Sequence, residues 1–277
     1  MSDSPNWYGL SCCKTPDCLA LPETESSPVR PRVFCLSFGD WLDESVPIEW
    51  LVHLLETIRT TPHLDWLLLT KRPENFRKRL GIVAAGSRGR NEDLLDWLWE
   101  WVIDEIAPPN VWVGASVEDQ KRADERIPDL LKIPAKVRFL SCEPLLGPIE
   151  FSNVSGRSDA VLQLGKKAVA GINWVIVGGE SGSKENARPC ALEWVDGIRR
   201  QCEAAEVPCF VKQLGSRPYV ENANLWDWPV DDELGLYCDP PESVKAFAAV
   251  GVMLKHPKGG DWEEWPEPLR VRQFPKL

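Results

Sequence analysis

The sequence has no apolar run approaching the roughly 20 residues needed to cross a bilayer, so no membrane role is expected. Its opening, MSDSPNWYGLSCC, has neither the basic start nor the apolar centre of a secretion signal. A soluble, cytoplasmic protein is the expectation. Basic residues are not in excess: the formal charge is −10, whereas a broad nucleic-acid surface needs clustered Lys and Arg. General nucleic-acid binding is therefore not supported, although a local basic cleft stays open. The nine cysteines are odd in number and scattered, without the spacing of a small secreted domain, which argues against a disulfide framework. No internal repeat is evident.

What the chain does contain is a series of short, nearly continuous apolar runs. RVFCLSF (32–38), LDWLLLT (64–70), NVWVGAS (110–116), KVRFLSC (136–142), INWVIVG (172–178) and VPCFVKQ (207–213) are each of strand length. Runs of this kind fit a parallel sheet covered on both faces. Cys35 and Cys209 lie inside them, where free cysteine behaves as a small buried hydrophobe. Tryptophan is abundant, with 14 residues, and several lie at the ends of apolar runs, which suits barrel rims and pocket walls as much as core.

Helical patterns separate the runs. Ile48, Leu51, Val52, Leu55 and Ile58 recur at helical spacing behind Pro47, a residue tolerated in a first turn. A polar insertion, GSRGRNED, precedes the apolar-faced helix LLDWLWEWVIDEI. SVED (116–119) predicts a capping box opening a helix through Leu131. ALEWVDGIRRQCEAAE buries Leu192, Val195, Ile198 and Cys202 on one side. Segment 144–170 is loop-like with room for a short strand pair, and the tail from Pro218 reads as an irregular wrap.

Alternation of this kind predicts an α/β fold with a parallel sheet. Six strand–helix units are too few for a closed eight-stranded barrel, and no Gly-x-Gly-x-x-Gly follows the first strand. A partial (β/α) barrel is the preferred fold. It divides the chain into an N-terminal cysteine segment (1–30), the barrel (31–217) and a C-terminal extension packed on it (218–277).

Function in such barrels gathers at the carboxyl ends of the strands. Those ends carry Asp40 and Asp43; Lys71 and Arg72; Glu118 and Asp119; Cys142 and Glu143; Gly178, Gly179 and Glu180; and Lys212 with Gln213. Strands also end where polar loops begin, and acids cap helices, so each residue alone has an ordinary structural explanation; the set converging on one rim favours a polar pocket. Lys71 and Arg72 together can grip a carboxylate or phosphate, or form a salt-bridged rim pair. Lys71, Cys142 and Glu143 are the candidate catalytic residues; Cys142 lies beside the Glu143 carboxylate, yet a nucleophilic thiol needs a base. The three histidines, His53, His63 and His256, all lie away from the strand ends. The paired glycines of WVIVGGESG allow close backbone approach, or form a tight turn.

Several blocks carry a resemblance: LLLTKRPENF, NVWVGASVEDQKRADERIPDLL, VRFLSCEPLLGPIEF, WVIVGGESG followed by ARP, VPCFVKQLG and KGGDWEEWPEPLRVRQFP. In this order, from about Pro31 to Pro275, the chain resembles the phage gene-product-37/gene-product-68 family, whose members resemble radical S-adenosylmethionine (SAM) proteins. The resemblance implies a partial barrel behind a three-cysteine motif, a [4Fe–4S] cluster on thiolates, and SAM on the open iron. Its candidate metal ligands are Cys12, Cys13 and Cys18, with Cys12 or Cys13 as the first and Cys18 as the second, and it places Asp40 where the amino group of SAM is contacted. By the resemblance Lys71, Glu118, Glu143 and Glu180 would line the cavity; Asp40, Glu118, Gly178, Gly179, Glu180 and Lys212 are the candidate cofactor-binding residues. The family pattern continues Cys-x-x-Cys-Tyr into a helix; here Leu21 stands at the third cysteine, and a short proline-containing linker follows.

Two function classes stay open: an Fe–S, SAM-using enzyme, and a truncated, non-catalytic paralogue or binding subunit using the same strand-end pocket. A zinc site needs four ligands, and CC-x4-C offers two or three with no histidine near. The expected partners are a small-molecule or macromolecular substrate and a protein encoded nearby in the genome.

Overall fold

The computed structural model describes residues 30–35, 39–156, 171–221, 250–252 and 254–276. Residues 31–277 cluster as one compact unit. The strands are β1 (Arg32–Cys35), β2 (Asp65–Thr70), β3 (Val111–Ser116), β4 (Val137–Cys142), β5 (Trp174–Gly178), β6 (Cys190–Ala191), β7 (Cys209–Gln213), β8 (Pro218–Val220) and β9 (Val250–Gly251). The helices are α1 (Ile48–Thr60), α2 (Phe76–Ser87), α3 (Glu92–Val102), α4 (Gln120–Leu130) and α5 (Leu192–Ala204).

A curled sheet in the order β1-β2-β3-β4-β5-β7, parallel throughout, alternates with the helices. This is the expected partial (β/α) barrel. Each apolar run became a strand within a few residues of its predicted bounds; nearly every position is buried in β2 to β5, whereas the edge strands β1 and β7 are partly exposed. The pattern is unbroken in β3, β4 and β5. Register sets the strand ends level: Ser116 pairs with Ser141, and Cys142 with Val177.

Strand alternation sends successive side chains to opposite faces. Leu68, Val113, Ala115, Leu140, Cys142, Val175, Val177 and Val211 pack under the helices against Leu55, Leu80, Leu98, Ile127 and Ile198. The opposite residues, Leu67, Trp112, Val137, Phe139, Trp174 and Ile176, fill the concave face, joined by Leu69 and Phe210. Gly114 lies in that layer, where a Cβ would stand 2.3 Å from the Phe139 ring. The glycine leaves room for the aromatic.

Three sequence expectations need correction. A helix, α2, precedes the predicted one: Phe76, Leu80, Val83 and Ser87 face the core, but Gly81, Gly86 and three cations dilute the periodicity. The polar insertion is the junction between α2 and α3, with Asn91 capping α3 through the Leu94 N–H at 3.1 Å. The α4 cap is Asp119, which accepts the Arg122 N–H at 2.8 Å, because Ser116 remains the last residue of β3. The tail is also less irregular than expected. β6, β8 and β9 form a second sheet, so pairing crosses position 217/218. Residues 271–273 run beside the outer edge of β7: Val211 donates to Val271 O at 2.8 Å, and Gln273 donates to Cys209 O at 2.8 Å. Covering an exposed edge in this way blocks pairing with other chains. The strand pair predicted within 144–170 lies partly outside the described residues; the described part contains a 3-10 turn at Phe151–Gly156.

The buried tryptophans serve the core. Trp101 is fully buried, stacks on Trp41 at a centroid distance of 6.4 Å and donates its indole N–H to Pro134 O at 2.6 Å. Among the described residues no helix is long and apolar enough to cross a membrane.

Candidate functional site at the carboxyl-end rim

The loop after β1 returns to the end of β2 through Asp40. Its Oδ1 accepts from Leu42 N at 3.0 Å and Thr70 Oγ1 at 2.6 Å; its Oδ2 accepts from Lys71 N at 2.7 Å and Arg72 Nη1 at 3.2 Å. A carboxylate has about four lone-pair sites, and here four donors take them. Arg72 also reaches Asp43 at 2.9 Å. The Asp43 carboxyl is held below its ordinary value chiefly by hydrogen bonds from the Ser45 backbone and side chain.

Lys71 diverges from Arg72. Its Nζ lies 3.6 Å from Glu118 Oε1, while Glu118 Oε2 accepts from Arg126 at 2.7 Å. Arg126 also donates to Ser116 O at 2.8 Å, tying α4 to the end of β3. The Glu118 and Arg126 side chains are only 12% and 13% exposed, so the pair is largely desolvated. Lys71 and Arg72 therefore form two separate ion pairs with no shared anion grip.

Across the sheet, Lys212 Nζ donates to both Glu143 oxygens at 3.0 Å, and Gln213 Nε2 donates to Oε1 at 3.1 Å. β4 and β7 are not neighbours in the sheet, so this contact bridges the end of β5. Cys142, one residue before Glu143, points the other way. It is fully buried under the helices, and burial pushes its thiol well above the ordinary range. A buried, protonated thiol without a base is not a nucleophile. The candidate pair Cys142–Glu143 is thus divided between two faces of the strand.

The backbone that closely approaches Gly178 and Gly179 is the chain's own. Gly179 N donates to Gln213 O at 3.0 Å, and a Cβ on Gly179 would stand 2.2 Å from Leu214 O. Opposite it, Gly215 has a φ of 89°, the left-handed region that favours glycine. The glycines join the ends of β5 and β7. Glu180, just beyond, is held by Arg188 through Nε at 2.7 Å and Nη2 at 2.9 Å, plus the Arg188 N–H at 2.8 Å. The side-chain bonds from Arg188 are the main reason the Glu180 carboxyl sits below its ordinary value.

The rim therefore brings Asp40, Lys71, Glu118, Glu143, Glu180 and Lys212 to one end of the sheet, each carboxylate with at least one cation. Arg126 and Arg188 complete it. The sequence reading gave neither a role: Arg126 returns from the middle of α4, and Arg188 lies in the ARP triplet, whose partner only the fold identifies. Cys12, Cys13 and Cys18 lie outside the described residues. Among the described residues no group of three or more His, Cys, Asp or Glu is arranged to hold a metal. The described cysteines are free; Cys142, Cys190, Cys202 and Cys209 are buried, and burial pushes the half-buried Cys35 thiol up to about 11.

Residues 7–254 match the family model described as "Protein of unknown function (DUF5131)". No curated protein and no solved structure matches the chain.

Proposed function

The chain belongs to the DUF5131 family, and for this member we propose a ligand-binding role: the carboxyl-end rim of a radical-SAM-like half-barrel receives a small zwitterionic ligand. One observation carries the reading. Glu118, Glu143 and Glu180 are anchored and 12%, 18% and 28% exposed, while their partners Lys71, Lys212 and Arg188 are 57%, 53% and 54% exposed. The carboxylates are fixed in place and the cations can swing. An incoming ammonium can take a carboxylate, and an incoming carboxylate can take a released cation, with little reorganisation of the rim.

The [4Fe–4S] cluster and SAM implied by the resemblance to phage gene-product-37/gene-product-68 proteins fit these residues poorly. All four acceptor sites of Asp40 are taken, leaving none for the amino group of SAM. Leu21 stands where the third thiolate belongs. We therefore favour binding over radical chemistry for this chain and route no reaction step through the cluster.

The test has two arms. In saturation-transfer NMR with free lysine and free glutamate as probes, the wild-type chain should give signal that a Lys71→Ala/Lys212→Ala double variant loses. No transfer from either probe would sink the rim reading. In anaerobic reconstitution, the protein should retain no iron or sulfide, and replacing Cys12, Cys13 and Cys18 together by Ser should leave Tm unchanged. Retained iron and sulfide with cluster absorbance would reassign the chain to the SAM-using enzymes.

A further inference from the structure

Beyond the second sheet lies a cavity of about 380 Å3 whose lining includes Lys184, Arg217, His256 and the backbone of Gly215 and Ser216. Its volume falls within the roughly 300–1,000 Å3 of small-molecule sites. None of the rim residues lines it.

The walls are built with care. Ser216 is 6% exposed and joins three segments: its Oγ lies 2.7 Å from Pro257 O and 2.9 Å from Gly182 O, and accepts the Gly182 N–H at 3.1 Å. The loop Lys255–Gly260 is pinned from both sides. Glu264 Oε2 accepts the N–H groups of Lys255 and His256 at 2.7 and 3.3 Å. Leu214 and Gly215 donate to Gly259 O and Lys258 O at 2.9 and 3.2 Å. His256 Nδ1 accepts from Gly260 N at 3.0 Å and Lys258 N at 3.3 Å. The proton of the neutral ring therefore sits on Nε2, which is left as a donor.

In a chain of formal charge −10, this loop carries Lys255, His256 and Lys258 and stands beside Lys184 and Arg217. Lys184, Arg217, Lys255 and Lys258 make no ion pair with a described carboxylate. The Arg217 guanidinium has one long bond, Nη1 to Ala187 O at 3.4 Å. Glu185 is the one acid among the described lining residues. At the rim and on α5, by contrast, Arg72, Arg126, Arg188, Arg199 and Lys212 each face a carboxylate. Lys184 has only the exposed Glu185 beside it, and a concavity lined by cations that make no ion pair suits an external anion.

We propose that this cleft binds the phosphate groups of a phosphorylated small molecule. Arg217 supplies a fork of donors that matches phosphate oxygens, Lys184 a mobile point charge, and His256 an N–H donor. The cleft is independent of the rim, so either assignment can fail without the other.

Isothermal titration of the full chain with inorganic pyrophosphate, and separately with ADP, at matched ionic strength tests the proposal. Saturable binding is expected, weakened about tenfold in Arg217→Gln and again in Lys184→Ala, the scale of one charge-assisted contact. Lys132→Ala, at a lysine that pairs with Asp129 and does not line the cavity, should bind as wild type, and all variants should keep the wild-type Tm. Tighter binding of ADP would assign an organic phosphate ester, and equal affinities the inorganic anion. No saturable binding of either probe, or equal weakening in Lys132→Ala, would overturn the proposal.

Discussion

The two ends of the concave sheet are made by the same strands and differ in almost every physical respect. At the amino-end floor, Trp174 meets Trp112, Phe139, Phe210 and Phe274 at centroid distances of 5.3–6.1 Å. Arg32 covers it, 5.0 Å from the Trp112 ring and 4.8 Å from Phe274. At the carboxyl-end rim, the same strands end in carboxylates paired with Lys and Arg. The floor buries large apolar area and supports the fold. Apart from the desolvated Glu118–Arg126 pair, the rim cations are half in water, where ion pairs contribute little to stability. A cell gains little stability from such a rim, which is consistent with its residues being there to meet a ligand.

Substitutions should break this contrast in a graded way. The largest effect is expected at the floor. Trp174→Ala removes the ring at the centre of the aromatic set and the indole bond to Gln273 O at 2.9 Å. It should cost about 3–5 kcal/mol in urea denaturation, and a cost under about 1 kcal/mol would show that the floor is not the core it resembles.

The junction between the strand ends comes next. Gly179→Ala sets a methyl against the Leu214 carbonyl, 2.2 Å away. Backbone must move, at about 1–3 kcal/mol. Because the shift displaces Glu180 and Gln213 together, the variant should also lose rim binding more than stability alone explains.

The smallest effect is expected in the rim pairs. Glu180 is depressed in the folded state, so its contribution is present above the unfolded value of about 4.3 and is lost as pH falls through the folded value. Arg188→Gln should therefore lower stability at pH 7, by less than about 1 kcal/mol because Arg188 is half in water. Wild type and variant should converge once acid has protonated Glu180. A difference that persists at pH 2 would mean that Arg188 acts through packing.

Much of this contrast was legible in advance. The continuous apolar runs gave the strands, and their polar ends gave a rim that the fold assembles. Other features were not legible. Dilution of a helical pattern by glycine and charge hid α2. The small second sheet was hidden because β6 and β9 are two residues each and β8 three. The phosphate-class cleft gave no signal because its cations come from segments some 70 residues apart, from Lys184 to His256.

By itself the sequence determined the six strands of the main sheet and the helices α1, α3, α4 and α5, and that they alternate into a parallel sheet, because local hydrophobic periodicity carries that information. It did not determine which parity of each strand faces the helices. In β4 both faces are apolar, so FLSCE reads alike in either register, and Cys142 and Glu143 looked like partners. Packing against α4 and α5 decided that Cys142 goes under the helices and Glu143 to the rim, to meet Lys212 from a strand two places away. A pattern without alternation cannot encode a face, and only tertiary contact supplies one.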